Sequence, residues 1–414
     1  MNAKVNSKQL RQDANRIIES AIHAVQPDAA VQRALANKDF PGKVVLIAIG
    51  KAAWQMAKAA SDVLGQRIDH GIVVTKYQHV RGDITNCVCY EAGHPVPDEN
   101  SFKGTQSAID AVANLTENDT VLFLISGGGS ALFEKPLVSG EELQDITEQL
   151  LASGADIVEM NTIRKRLSAV KGGRFAQICA PAKVFAIVLS DILGDPLDMI
   201  ASGPACSDHS TCEEAQAIAQ KYHLKLSEQA RELLKQETPK TLHNVETKIN
   251  GSVRELCAAA AASCKDLGYR PILLTDQLCC QAKEAGSFLA SILKTYAGRD
   301  EKIAFLAGGE TIVKLTGKGK GGRNQELALS AADGIAGING AVFSIGSDGT
   351  DGPTDAAGGY VDGNTFEALK KQGISASKVL QENDAYHALK KVDGLIITGP
   401  TGTNVNDVAV ALLL

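Results

Sequence analysis

The run KVVLIAIG (43–50) has no polar side chain between Lys43 and Gly50. An extended segment of that kind is buried on both faces, which is the signature of a parallel sheet covered by helices on either side. The pattern recurs in TVLFLISGGGS (120–130) and KVFAIVLSD (183–191), with a shorter strand, GIVVTK, at 71–76. Helical segments separate these runs. KAAWQMAKAASDVLG stops at Gly65, and further helices are predicted near 101–115, 140–153 and 156–170. Ahead of them, Leu10, Ala14, Ile17, Ile18, Ala21, Ile22 and Val25 recur at helical spacing, so the chain opens on an amphipathic helix. Strands alternating with helices predict an α/β, doubly wound, Rossmann-like domain.

At 414 residues the chain is long enough for two or three domains. From about 205 to 250 it turns polar and helical, and KQETPKTLHN (235–244) is the best linker candidate. A second, glycine-richer α/β segment follows, with strands expected at 270–276, 302–309, 311–317, 340–349 and 394–400. The expected division is therefore a larger domain over 1–240 and a smaller mixed α/β domain over 241–414.

Charge and cysteine usage exclude several classes. The net charge is −6 and the basic residues are scattered, whereas a nucleic-acid binder needs a basic face. No apolar run reaches the roughly 18 residues that a membrane helix requires. The first residues, MNAKVNSKQLRQDANRI, lack the apolar core of a secretory signal. Nine cysteines include no CxxC pair, so reduced thiols serving as small apolar residues are expected, and with them a cytoplasmic location.

Ligands of open α/β sheets bind at the carboxyl ends of strands, and there the sequence places its unusual residues. Gly50-Lys51 ends the first strand; a lysine opposed to a helix dipole suits a site that an anion joins, although a solvated lysine is the plainer reading. Gly127, Gly128, Gly129 and Ser130 let backbone N–H groups approach an anion, or simply make a tight turn. No GK[ST] occurs, so this is not a standard P-loop. Arg164, Lys165, Arg166, Lys171 and Arg174 either cap a helix C-terminus or face substrate anions. Asp191, with Asp195 and Asp198 behind it, can hold Mg²⁺ or accept a proton, or can belong to a turn. The loop GSDGTDGPTDAAGG (346–359) presents Asp348, Asp351 and Asp355 in a spacing unlike an EF-hand, suited to Mg²⁺ or to orienting a hydroxyl. Finally, Gly317-x-Gly319-x-x-Gly322 spells the dinucleotide fingerprint. The ribose-binding acid that should follow about twenty residues on is missing, because positions 338–346 hold no acid, and Arg323 stands at the helix start.

Seven stretches together resemble the class II glycerate kinases, whose C-terminal half is the MOFRL domain. They are GKAAWQMAKA, SGGGSALFEKP, MNTIRKRLSAVKGGRFA, LSDILGDPLDMIASGP, AGGETIVKLTGKGKGGRNQELAL, GSDGTDGPTDAAGG and TGPTGTNVND, spanning about 45 to 410. The resemblance implies ATP-dependent phosphorylation of D-glycerate, most often at the 2-hydroxyl, in a site between the two domains. It implies Lys51 and Arg323 as the central cations. Beside it, Asp191 and Asp351 are candidates for catalysis, and Asp191, Asp348 and Asp351 for Mg²⁺. Gly127, Gly128, Gly129, Ser130, Glu310 and Asn324 are candidates for holding ATP or substrate. Family members also bear the name hydroxypyruvate reductase, so a nicotinamide-dependent reductase and a non-catalytic sugar-acid binder stand as alternatives. A homodimer is admitted by the sequence but not required.

Overall fold

The structure, a computed structural model, describes residues 5–414. Two compact units emerge: Pro27–Asn250, and residues 5–26 together with Gly251–Leu414.

The first unit is built on six strands, β1 (Val44–Ile49), β2 (Ile68–Lys76), β3 (Cys87–Ala92), β4 (Thr120–Ile125), β5 (Lys183–Leu189) and β6 (Val245–Gly251). They lie in the order β3-β2-β1-β4-β5-β6. The pairings β3/β2, β2/β1, β1/β4 and β4/β5 are all parallel. β1 and β4 are buried along their whole length, and β1 contributes to two cores in alternation. Val45, Ile47 and Ile49 pack on one face with Phe123, Phe133 and Phe175. Val44, Leu46 and Ala48 pack on the other with Met56, Ala57 and Phe185. Helices on both sides are what such an apolar strand demands. After β1 the chain lays down β2 and β3 on one side, then crosses to place β4 and β5 on the other. The carboxyl ends of β1 and β4 therefore flank a topological switch point, where open α/β sheets bind ligands.

The second unit holds β7 (Arg270–Leu278), β8 (Ile303–Gly309), β9 (Gly340–Gly346), β10 (Gly358–Asp362), β11 (Leu395–Ile396) and β12 (Asp407–Leu413). Their order is β11-β10-β9-β12-β8-β7. β7 and β8 are parallel, and the other pairings are antiparallel, which makes the sheet mixed as expected. β12 occupies the middle with every residue buried.

The structure departs from the sequence reading at several points. The opening helix, Ser7–Ala24, belongs to the second unit: Tyr269 donates to Asp13 Oδ2 at 2.7 Å, and Arg11 donates to the carbonyls of Asp393 and Leu395. Residues 235–244 are not a linker. Thr238 donates to the buried Asp208, Asn244 donates to the carbonyls of Ala176 and Ala182, and the chain continues into β6 beside β5. The segment 311–317 forms no strand beyond a single bridge between Gln281 and Ile312, and the expected strand at 394–400 shrinks to Leu395–Ile396.

Much of the basic stretch at 164–174 is spent inside the first unit. Lys165 lies 3.3 Å from Asp198 and 3.1 Å from Asp208. Arg166 is fully buried and donates to Ser210 and to the Thr162 carbonyl. Lys171, also fully buried, sits 2.8 Å from a wholly buried Glu134 and donates to the Phe133 carbonyl. Arg174 donates to the carbonyls of Ser168 and Arg166. Removing one partner of a buried ion pair strands the other charge. Glu134→Gln is therefore expected to lower unfolding free energy by about 3–5 kcal/mol, measured by urea denaturation. The double variant with Lys171→Met should recover most of that loss.

Candidate functional site

At the switch point the main chain of β1 and β4 is stitched together. Ser126 Oγ donates to the Ile49 carbonyl and accepts from the Ala52 N–H, both at 3.1 Å. The Lys51 N–H donates to the Gly127 carbonyl at 2.9 Å. Gly50, at φ +106°, is the residue this approach requires, because a Cβ there would fall 2.4 Å from the Ser126 carbonyl oxygen. The Lys51 carbonyl accepts from His79 Nδ1–H at 2.9 Å and from the Thr75 hydroxyl. The start of the Ala53–Leu64 helix is thus fixed from three sides.

The Lys51 side chain lies over the glycine loop. A Cβ on Gly128 would be 3.1 Å from Lys51 Cε and 3.0 Å from His94 Cδ2, so that glycine is the floor of a narrow space. His94 is half-buried there. Burial, and then the Lys51 charge, hold its imidazolium below the ordinary histidine range, which keeps the ring neutral. Gly127 faces the end of β5, where a Cβ would lie 2.2 Å from Asp191 Oδ2. Lys51, the Gly127–Ser130 loop and Asp191 are therefore brought together from three strand ends. Beyond them, Ser130 Oγ lies 3.0 Å from Ser202 Oγ, which donates to Asn161 Oδ1 at 2.9 Å. Ala201 and Ser202 both have positive φ, 51° and 60°, an uncommon backbone for such residues, and it aims Ser202 at Ser130. Neither Asn161 nor Ser202 stood out in the sequence as a site residue.

The other candidates gather in the second unit around the helix Arg323–Ala331. The Arg323 guanidinium forks onto Asp407 with Nε at 2.5 Å and Nη2 at 2.9 Å, and Nη1 reaches Glu310 at 2.9 Å. Asn406 ties the other Glu310 oxygen at 3.0 Å. Arg323 is thus clasped between two carboxylates, and its remaining N–H groups are what it can offer an anion. Asp407 went unnoticed in the sequence, although it closes the TGPTGTNVND stretch. Asp348 stands near it: both carboxylates come within 3.4 Å of where a Cβ on Gly346 would be.

Asp351 and Asn324 are positioned for folding rather than for ligand contact. Asp351 is 3% exposed, and its oxygens accept from the backbone N–H groups of Asn324 and Gln325 at 3.1 and 2.9 Å, so it caps the Arg323 helix. Asn324 is 1% exposed and accepts from the Ser344 hydroxyl. Asp355 is exposed and accepts from the Tyr386 hydroxyl at 2.7 Å.

The glycines at 317–322 also have a structural cause. A Cβ on Gly317 would meet the Glu382 backbone at 2.3 Å, and one on Gly319 would meet Asp384 Cβ at 2.4 Å. The N–H groups of Gly317, Gly319 and Lys320 donate to Asn383, Glu382 and Asp384. The loop is glycine-rich because it lies flat on another backbone, and these N–H groups are spent there instead of facing a pyrophosphate.

Among the described residues, Cys212, Glu213 and Glu237 bring ligand atoms within 4.8 Å of one another. Glu237 is already paired with Arg166 at 3.4 Å and Lys240 at 2.7 Å and accepts from the Cys212 N–H. A thiol and a pre-paired carboxylate suit Mg²⁺ poorly, since that ion takes oxygen ligands. The carboxylates of Asp191 and Asp348 are the hard donors among the sequence candidates.

A two-unit α/β protein with a cation laid over a glycine loop at a switch point is built to handle an anionic ligand. Residues 13–235 match a domain of unknown function, DUF4147, and residues 303–407 match the MOFRL family. The chain is 53% identical to the D-glycerate 2-kinase of Thermotoga maritima over 98% of its own length and 99% of the relative's. It is 41% identical to the glycerate 2-kinase of Pyrococcus horikoshii over 98% and 97%. An Agrobacterium vitis protein named "Putative hydroxypyruvate reductase" is 39% identical over 99% and 95%. The crystal structure of the Thermotoga maritima glycerate kinase superposes with a TM-score of 0.93, covering 98% of this chain and 100% of that one. A Pyrococcus horikoshii crystal structure gives 0.94, covering 100% and 99%. The chain belongs to the class II glycerate kinase, or MOFRL, family.

The Arg323 clasp has a titration signature. Burial pushes the Asp407 carboxyl up to about 6, with the Asp351 charge adding to the rise, while hydrogen bonds and attraction from Arg323 pull it down. Both partners of the clasp are charged above that pH. In Arg323→Met the pull of the arginine is gone, and only the hydrogen bond from Asn324 still opposes burial. Carbon-13 NMR should find the Asp407 carboxyl titrating near pH 6 in the native protein and at higher pH in the variant.

Proposed function

We propose that this protein transfers the γ-phosphoryl group of ATP to D-glycerate, at the 2-hydroxyl. The observation that carries the reading is the Lys51 side chain lying over Gly128 at the β1/β4 switch point, next to Asp191. Phosphoryl transfer asks a protein mainly for positioning and for neutralising charge on the transferred group. Lys51 supplies a positive charge on a compact, rotatable head. The N–H groups of Gly129 and Ser130 open the short helix Gly129–Leu132 and have no helical acceptor of their own, whereas the Ala131 N–H already donates to the Gly128 carbonyl. With no Cβ at Gly127 or Gly128 phosphate oxygens can come close to the first two. Asp191 stands where it can take the proton that leaves the acceptor hydroxyl.

Asp191 in the first unit or Asp348 in the second would offer carboxylate oxygens to Mg²⁺, whose chemistry is to neutralise the phosphate oxygens and orient the triphosphate. In the second unit Arg323 offers its unclasped N–H groups to phosphate or carboxylate oxygens, with Asp407 and Glu310 fixing its plane. Asp351 and Asn324 support this arginine from the helix cap and from beneath. The names of the Thermotoga and Pyrococcus relatives favour the 2-position.

The reductase reading has one observation in its favour, the name carried by the Agrobacterium vitis relative. Against it, the fingerprint glycines are already packed on protein, Gly317 and Gly319 on Glu382 and Asp384 and Gly322 on Asp351. The two readings separate in one experiment. The protein is incubated with D-glycerate, Mg²⁺ and ATP while ADP is followed, and in parallel with hydroxypyruvate and NADH. ADP release without NADH oxidation is expected, and phosphorus NMR should identify 2-phosphoglycerate. NADH oxidation without ADP release would overturn the kinase reading, and silence in both would leave only a binder.

Gly128 provides a second check. Alanine there would meet Lys51 Cε and His94 at a φ of +84°. Gly128→Ala is expected to cost about 1–2 kcal/mol of stability from the left-handed backbone. Turnover should fall at least tenfold (~1.4 kcal/mol), read from steady-state kinetics beside a thermal melt.

A further inference from the structure

Of the five cations at 164–174, Arg164 is used least by the fold. Lys165, Arg166, Lys171 and Arg174 hold buried carboxylates, hydroxyls or carbonyls within their own unit. Arg164 is half-buried in the last turn of the helix Ile157–Arg166. Its Nη2 donates to the Ser130 carbonyl at 3.2 Å, and its Nε, like that of Arg166, is buried with no hydrogen-bond partner. An arginine with a buried, unsatisfied N–H is costly to maintain, and the group a guanidinium fits best is a carboxylate. The contact to Ser130 fixes this guanidinium at the far end of the loop whose other end lies under Lys51.

The Ser130 hydroxyl adds a second constraint. Ser202 has one proton, and it goes to Asn161 Oδ1. Asn161 Nδ2 faces Met199 Sδ at 3.5 Å, which fixes the amide orientation, because a sulfur accepts but does not donate. Ser202 Oγ can then only accept in its contact with Ser130, so Ser130 is the donor of that 3.0 Å bond. With its proton spent, Ser130 Oγ offers only lone pairs to a ligand. It cannot donate to a phosphate or carboxylate oxygen, but it can accept from an alcohol.

We propose that Arg164 receives the carboxylate of the hydroxy acid and that Ser130 Oγ accepts a hydrogen bond from one of its hydroxyls. This assignment rests on the kinase reading and deepens it, since it names the groups that select the acceptor. It puts Ser130, which the sequence offered for ATP or substrate alike, on the acceptor side of the loop. The order along the loop becomes Lys51 over Gly128 for the phosphoryl group, then Ser130 and Arg164 for the acid.

The test compares D-glycerate with D-glyceramide, which keeps both hydroxyls and replaces the carboxylate by a neutral amide. Arg164→Gln should raise KM for D-glycerate at least about 20-fold with kcat changed less than about threefold. It should leave kcat/KM for D-glyceramide nearly unchanged, so the preference for the acid collapses. Arg164→Lys, which keeps the charge without the fork, should fall between. An arginine that merely braced Ser130 would lower activity on both acceptors alike, and an unchanged acid-to-amide ratio overturns the proposal. Ser130→Ala should raise KM for both acceptors several-fold without lowering the melting temperature, and unchanged KM values would remove Ser130 from the assignment. Calorimetric titration of D-glycerate into native protein and Arg164→Gln gives the same comparison without turnover. Equal affinities would sink the Arg164 assignment even if the protein proved not to be a kinase. Binding lost in the variant, with no phosphoryl transfer by the native protein, would sink the kinase reading alone.

Discussion

The parallel pairing of β1 with β4 is the constraint on which the rest of the first unit depends. The two strands run in register from Val44 opposite Thr120 to Ile49 opposite Ile125, so they end level. One hydroxyl, Ser126 Oγ, closes the end of the pair by donating to Ile49 and accepting from Ala52. That arrangement sets Lys51 against the Gly127 carbonyl and lays its side chain along Gly128. Apart from Thr120, both strands are apolar at every position, and core side chains seal them on both faces. Shifting β4 by one residue would carry each of these side chains to the wrong face. The register that buries the core thus also sets the geometry of the site.

The second unit follows a different logic. Its sheet is mixed and its central strand, β12, begins at Asp407, the residue that grips Arg323. Asp351 caps the helix that carries Arg323. A buried carboxylate thus orients the helix, and a second, raised in pKa by burial, orients the arginine. Glu310 at the end of β8 completes the clasp. The arginine is held in one plane and keeps its proton, while the facing carboxylates of Asp407 and Glu310 offset its long-range field, which leaves it suited to directed hydrogen bonds.

The fold class was legible because buried parallel strands leave continuous apolar runs, and KVVLIAIG and KVFAIVLSD are such runs. β6 was hidden because VETKING is half-exposed and polar. Its place beside β5 follows from tertiary contacts, which also turn the expected linker into part of the first unit. β12, DVAVALL, is as apolar as β1 from Val408 on, and only its position after a glycine-containing loop conceals its central role. Lys51, Asp191 and the Gly127–Ser130 loop could be picked out in the sequence as strand-end candidates, and the fold brings them together. The roles of the clustered residues were not. Nothing in the spacing of IRKR distinguishes Arg164 from the fully buried Arg166 beyond two positions on a helix. Asp351 and Asp348 lie three apart in one loop, yet one is a helix cap and the other a half-exposed neighbour of Asp407. The fingerprint glycines match a dinucleotide turn because close backbone approach is the same demand whether the partner is a pyrophosphate or, as here, Glu382, Asp384 and Asp351.

We propose that the Lys51 ammonium, held over the glycine loop by the β1/β4 junction, acts on the transferred phosphoryl group. The most direct test is a single turnover of Lys51→Ala with radiolabelled ATP, Mg²⁺ and saturating D-glycerate. The account predicts that the rate of label transfer to glycerate falls at least 100-fold, about 2.7 kcal/mol of transition-state stabilisation, with the melting temperature retained. Transfer at close to the native rate would contradict it.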